Sequence, residues 1–184
     1  MNSGSKANST GDRFEKRIAS ELTAAGYIEV PASHYLRLKN SNRDMLPGKY
    51  YVRHVYVGKT VYGTDRFADF LIINAALFPD GLILECKWQQ ANGSVDEKFS
   101  FLHQNILKTG VPTIVLYGGG KHKPGSITWL RERVDKRNLL AVWREDEFYI
   151  KVNNGFFGAG GSTDLSKKDE DLFLYASGGL WGAV

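Results

Sequence analysis

The chain has 184 residues, 42% hydrophobic and 24% charged, with 20 glycines, 5 prolines and a formal charge of +4. These figures fit one packed domain and exclude a disordered, collagen-like or mucin-like chain. Cys86 is the lone cysteine and no Cys/His cluster has structural-zinc spacing, so neither an intrachain disulfide nor a zinc finger is available and a reducing compartment is expected.

Met1 to Asp12 is polar and lacks the basic-then-apolar order of a secretory signal; with no apolar run of bilayer-spanning length, a cytoplasmic protein without membrane contact is expected. Residues 1–11 read as a flexible N-terminus. Ser9, Thr10 or Asp12 then caps a helix to about Ala25, with Phe14, Ile18, Leu22 and Ala25 on one face and Gly26 as its stop. Tyr35 to Met45 reads as irregular, Pro47-Gly48 as a turn, and Tyr50 to Val57 as a strand. Arg66 to Ile73 and Leu82 to Trp88 form a predicted hairpin about a Pro79-Asp80-Gly81 turn. A helix follows over Val95 to Lys108, with Phe99, Leu102 and Ile106 at helical spacing, and Pro112 to Tyr117 reads as a buried strand. Ser126 to Arg137 is a further predicted helix, and Leu139 to Trp143 and Phe148 to Val152 are predicted strands. This order implies an α/β fold, a central mixed sheet flanked by helices. From Asn153 the chain turns glycine-rich and polar, so 153–184 reads as a flexible arm or an ordered oligomer contact.

Charge stands out where apolar strands should exclude it. Strand alternation places Glu85 and Lys87 on one face of Leu82 to Trp88, and Asp69 interrupts Phe67 to Ile73. Burying an unpaired ion costs several kcal/mol, on the order given for relaxed protein interiors. If the two strands pair, Asp69 and Glu85 approach each other, and two close carboxylates form the oxygen set that a hard ion such as Mg²⁺ prefers. Lys87 could then meet a phosphate or an attacking water. An exposed hairpin face with an ordinary surface ion pair is the competing reading.

Asp69, fifteen intervening residues, then Glu85-Cys86-Lys87 ahead of an amphipathic helix resembles the PD-(D/E)XK nuclease superfamily, over roughly Asp12 to Trp143. Ala68 stands where that motif often carries proline. The resemblance implies a restriction-endonuclease-like core and a single nuclease domain over 12–152. It also implies Asp69, Glu85 and the Cys86 backbone carbonyl as ligands of Mg²⁺ (or Mn²⁺), with Lys87 as the catalytic lysine. Glu15 matches an acid on the first helix that joins such sites, and Gln89 a polar residue that follows the motif.

The stretch 34–66 is a basic, aromatic insertion carrying Arg37, Lys39, Arg43, Lys49, Arg53, Lys59 and Arg66 among Tyr35, Tyr50, Tyr51, Tyr56 and Tyr62. These cations, with Asn42, are the expected DNA-binding side chains, and the tyrosines are candidates for base stacking; tyrosines packed inward are the alternative. Lys121 and Lys123 follow three glycines that could cradle a backbone phosphate, although the ending of an NTP-binding loop is missing. DNA is thus the expected partner and no NTP is expected. His103 and the Cys86 thiol read as structural. The leading expectation is a Mg²⁺-dependent type II restriction-like endonuclease acting as a homodimer. A phage recombination or Holliday-junction-resolving nuclease comes second, and a non-catalytic DNA-binding module on the same fold third.

Overall fold

The computed structural model describes residues 3–40, 48–90 and 98–158. Helix α1 (Ser3–Ala24) leads to a two-residue strand β1 (Ile28–Glu29) and helix α2 (Ala32–Asn40). Then come β2 (Lys49–Lys59), β3 (Asp65–Asn74), β4 (Phe78–Trp88), α3 (Phe99–Thr109), β5 (Thr113–Gly118), α4 (Pro124–Arg131), β6 (Leu139–Arg144) and α5 (Glu145–Asn153). The strands lie in chain order in one six-stranded sheet. β2, β3 and β4 pair antiparallel, while β1 pairs with β2, and β4 with β5 and β6, in parallel. The result is the expected α/β class, a mixed sheet with helices on its faces.

Side-chain alternation sorts the core. Leu82 and Leu84 of β4 and Ile114 and Leu116 of β5 pack with Phe14, Ile18 and Leu22 of α1 and Phe148 of α5. The opposite face is divided in two. Ile83 lies with Val52, Val55 and Leu71 beside Tyr35 of α2, whereas Val115 and Val142 lie under Phe99, Leu102 and Ile106 of α3 and Leu130 of α4. Between these apolar groups Glu85 shares the face of Ile83, two residues along the same strand. Burying a large apolar side chain is worth about 1.5–3 kcal/mol, so a polar seam there must satisfy its own hydrogen bonds.

Several elements differ from the sequence reading. α1 begins at Ser3, so the capping candidates Ser9, Thr10 and Asp12 are inside the helix and residues 3–11 are part of it rather than a separate arm. The stretch read as irregular from Tyr35 contains α2, whose basic residues Arg37 and Lys39 fall in its last turn and whose one buried side chain is Tyr35. The hairpin turn lies before Pro79, because the Asn74 side chain accepts the amides of Ala76 and Leu77 at 3.0 and 3.3 Å and closes the chain there. α4 stops at Arg131, and the Asp135 carboxylate instead gathers the amides of Arg137, Asn138 and Leu139 into a loop. The stretch from Phe148 to Val152 is helical: Phe148 and Val152 are buried but Ile150 is 55% exposed, a period of four rather than two. Glu145, Asp146 and Glu147 in its first turn favour that helix electrostatically. Phe156 and Phe157 complete the α1 core, so the chain from Asn153 to Gly158 belongs to the domain rather than to an arm. The rest of the expected arm, 159–184, lies outside the described residues.

Candidate active site

The site begins where two strands part. β3 and β4 pair only as far as Phe70 opposite Leu84, after which β4 continues beside β5, from Glu85 opposite Val115 to Trp88 opposite Gly118. Asp69 stands at the parting point, and its Oδ2 accepts the Cys86 amide at 2.7 Å, a side chain replacing the lost strand partner. Lys87 Nζ donates to the same Oδ2 at 3.4 Å and to Glu85 Oε2 at 3.0 Å. One ammonium therefore lies between two carboxylates. Burial alone would lower the Lys87 pKa, but the charge of Glu85, then that of Asp69, outweighs it and holds the amine well above the usual lysine range.

Glu85 is clamped from its other side. Arg66 Nη2 donates to Oε1 at 2.9 Å, with both side chains about 95% buried. Arg66 Nη1 donates to the Asn105 carbonyl at 2.7 Å and also reaches Thr109 Oγ1. Arg66, Glu85 and Asn105 thus form a hydrogen-bonded seam between the two apolar groups, the condition under which buried charge is tolerated. A third acid approaches from α1. Glu15 Oε2 accepts Arg53 Nη2 at 3.0 Å and pairs with His54 Nε2 at 3.1 Å. His54 has a φ of +47°, uncommon for a residue with a side chain, at the rung between the Arg53–Phe70 and Val55–Ala68 pairs and so opposite Asp69. The irregular rung brings consecutive side chains, Arg53 and His54, onto one carboxylate.

Of these groups Glu15, Arg66, Glu85 and Lys87 line a cavity of about 510 Å³, together with Phe67 of β3 and Lys98, Phe99 and Phe101 at the start of α3. Two carboxylates that already share one cationic position suit a hard divalent ion, which takes one or two carboxylates and fills its remaining places with carbonyl oxygen and water. Among the described residues no group of three or more His, Cys, Asp and Glu side chains surrounds a single metal position. Glu15 therefore shares the cavity without joining Asp69 and Glu85 in one ligand cluster.

A family model described as the PD-(D/E)XK nuclease superfamily domain matches residues 6–156. The chain belongs to the PD-(D/E)XK nuclease superfamily. No curated protein matches it. Among solved structures it is similar to the small subunit (R.BspD6I2) of the heterodimeric restriction endonuclease R.BspD6I, at 16% identity and a TM-score of 0.39 over 69% of this chain and 70% of that one.

Within this superfamily member the expected DNA contacts are redistributed. Arg66 is buried against Glu85 and Arg53 is held by Glu15, so neither is a free phosphate contact. Lys49 binds the Gly158 carbonyl and lies over the Tyr27 ring, and Lys59 pairs with Asp65 at 2.5 Å. Arg37, Lys39, Lys121 and Lys123 are exposed. Asn42 and Arg43 lie outside the described residues. Tyr35, Tyr50 and Tyr51 are buried, as in the inward-packed alternative, while Tyr56 and Tyr62 are exposed. Among the described cations of the insertion, Lys49, Arg53, Lys59 and Arg66 are thus held by the domain's own acids and carbonyls.

Gln89 faces the following turn rather than the cavity: its Nε2 donates to the Lys121 carbonyl at 3.2 Å, and its own carbonyl accepts the Lys121 amide at 3.3 Å. Gly119, at φ +92°, sits so close to the Gln89 backbone that a Cβ would lie 2.3 Å from its oxygen. Close backbone approach therefore accounts for this glycine. Burial raises the Cys86 thiol pKa, reinforced by Asp69, in keeping with a core side chain. His103 packs edge-on to Trp129, away from the cavity. The sequence reading missed the two clamps, Arg66 on Glu85 and Arg53 with His54 on Glu15. A cation three residues before the first acid was the available signal, but it does not reveal which way that cation turns.

Proposed function

We propose that this chain is a Mg²⁺-dependent deoxyribonuclease that hydrolyses DNA phosphodiester bonds as an endonuclease, with Mn²⁺ as a substitute ion. The observation that carries this reading is the Lys87 ammonium held between Asp69 and Glu85 at the parting of β3 and β4. Asp69 and Glu85, with the Cys86 carbonyl, would hold the ion, and Glu15 would order water at the edge of the same cavity. When bound, the ion supplies charge neutralisation and a water of lowered pKa. Lys87, released from the carboxylates, faces the negative charge that builds on the phosphate, an arrangement worth about 10²–10³ in rate when one such stabilising group is removed. Arg66 keeps Glu85 in one rotamer and supplies a counter-charge where water has little access.

Incubation of supercoiled plasmid with Mg²⁺ or Mn²⁺ tests the reading. The wild type should cut, while Glu85→Gln and Lys87→Ala should lose at least a hundredfold in rate. Equal nicking by all three removes these residues from the chemistry, and DNA binding without cutting by any of them favours the binding module. Discrete fragments point to a restriction-type enzyme, for which two copies per duplex site are needed to cut both strands. Selective cutting of branched DNA points to a resolvase.

A further inference from the structure

The tip of the β2–β3 hairpin presents a surface that the acid site does not explain. Seven large apolar side chains are exposed among the described residues, and four of them, Tyr56, Val61, Tyr62 and Phe67, cluster in this hairpin. Tyr62 is 81% exposed yet stacked on Phe101, with centroids 4.9 Å apart and planes at 19°. Phe67 meets Tyr56 edge-on at 6.0 Å. The tip is fixed in place: the Val61 amide donates to Asn105 Oδ1 at 2.8 Å, Lys108 Nζ donates to the Thr60 carbonyl at 2.9 Å, and the Thr60 and Thr64 hydroxyls bond at 2.7 Å. Asn105 also accepts from Arg66 through its carbonyl, so the tip and Glu85 hang on the same residue.

Phe67 and Phe101 line the cavity that holds Glu85 and Lys87. Here Arg66 and Lys87 contact the acids and Lys59 contacts Asp65, and beside the exposed Lys98 the wall offers the rings of Phe67, Phe99 and Phe101. Every base has a π-face, and stacking on a preformed aromatic pair requires a base free of its partner strand. We propose that the Tyr62–Phe101 stack, with Phe67, is a platform for an unpaired base next to the scissile phosphate. The preferred substrate is then DNA with unpaired bases at the cut: single-stranded, gapped or branched. This deepens the proposed function and rests on it for the position of the cut.

The test is binding by the full chain in EDTA, where no cleavage occurs, read by anisotropy on a labelled single-stranded oligonucleotide and on the same sequence fully paired. The single strand should bind more tightly, and a 2-aminopurine within it should be quenched on binding. Tyr62→Ala should weaken single-strand binding about tenfold, Tyr62→Trp should preserve it, and Ile150→Ala, an exposed apolar change on α5, should leave it unaltered. Unaltered single-strand affinity in Tyr62→Ala overturns the platform, as does an equal loss on both DNAs. A wild-type dimer that Tyr62→Ala converts to monomer overturns it too, by assigning the patch to a second copy. A chain that cuts DNA without this Tyr62 dependence loses the platform and keeps the nuclease; one that stacks bases but cuts nothing with Mg²⁺ or Mn²⁺ loses the nuclease reading.

Discussion

Glu85 stands between two cations in unlike surroundings. On its inner side Arg66 is sealed, with 5% of its side chain exposed, and on its outer side Lys87 is 25% exposed and also reaches Asp69. In the inner pair Arg66 Nη1 also donates to the Asn105 carbonyl and to Thr109, so the pair fixes geometry. The outer pair opens to the cavity, so its partners can exchange when an ion or a phosphate arrives. A strand position that alternation alone marks as buried thus carries a sealed pair and a partly exposed pair on one carboxylate.

Breaking the inner half should have the largest effect. Arg66→Met leaves Glu85 buried without its principal counter-charge and should cost about 3–5 kcal/mol of stability in urea unfolding. Adding Glu85→Gln to it should recover much of that loss, and a strictly additive double mutant would mean that the two side chains are not coupled. Breaking the outer half should separate activity from stability. Lys87→Ala should lower single-turnover cleavage by about 10²–10³, while its unfolding free energy moves by less than about 1 kcal/mol, as for a partly solvated pair. Ligand stabilisation sharpens the comparison: Mg²⁺ at a hundred times its dissociation constant should stabilise the wild type by about 2.7 kcal/mol, and Asp69→Asn should erase most of that gain in thermal melts.

The smallest effect lies outside the site and serves as a control. Burial first, and the Arg133 guanidinium second, hold the His103 imidazole below its ordinary pKa of 6.5, so the folded chain favours the neutral ring. The stability this contributes is whole above pH 6.5 and falls as pH drops below that value towards the depressed folded pKa. His103→Leu should flatten this part of the stability–pH curve and leave cleavage intact; an unchanged curve would place the acid sensitivity elsewhere.

The convergence of Asp69, Glu85 and Lys87 was legible because charge on an apolar strand is costly enough to need a reason. The α1 stripe of Phe14, Ile18 and Leu22 was legible for the same kind of reason, since helical spacing survives any tertiary context. The direction of isolated cations was not. Arg53 and Arg66 read as DNA contacts from composition, yet each turns to an acid whose position depends on strand parting and on the irregular rung at His54. α5 was misread because Phe148, Ile150 and Val152 alternate as well as they repeat. The three acids of its first turn carried the deciding information.

The central claim is that Asp69 and Glu85 hold one divalent ion together, and Mn²⁺ binding measured by calorimetry, with the bound ion observed by electron paramagnetic resonance, tests it most directly. The account predicts binding by the wild type that weakens at least tenfold in both Asp69→Asn and Glu85→Gln, with folded spectra in each. Wild-type affinity in either variant would contradict it.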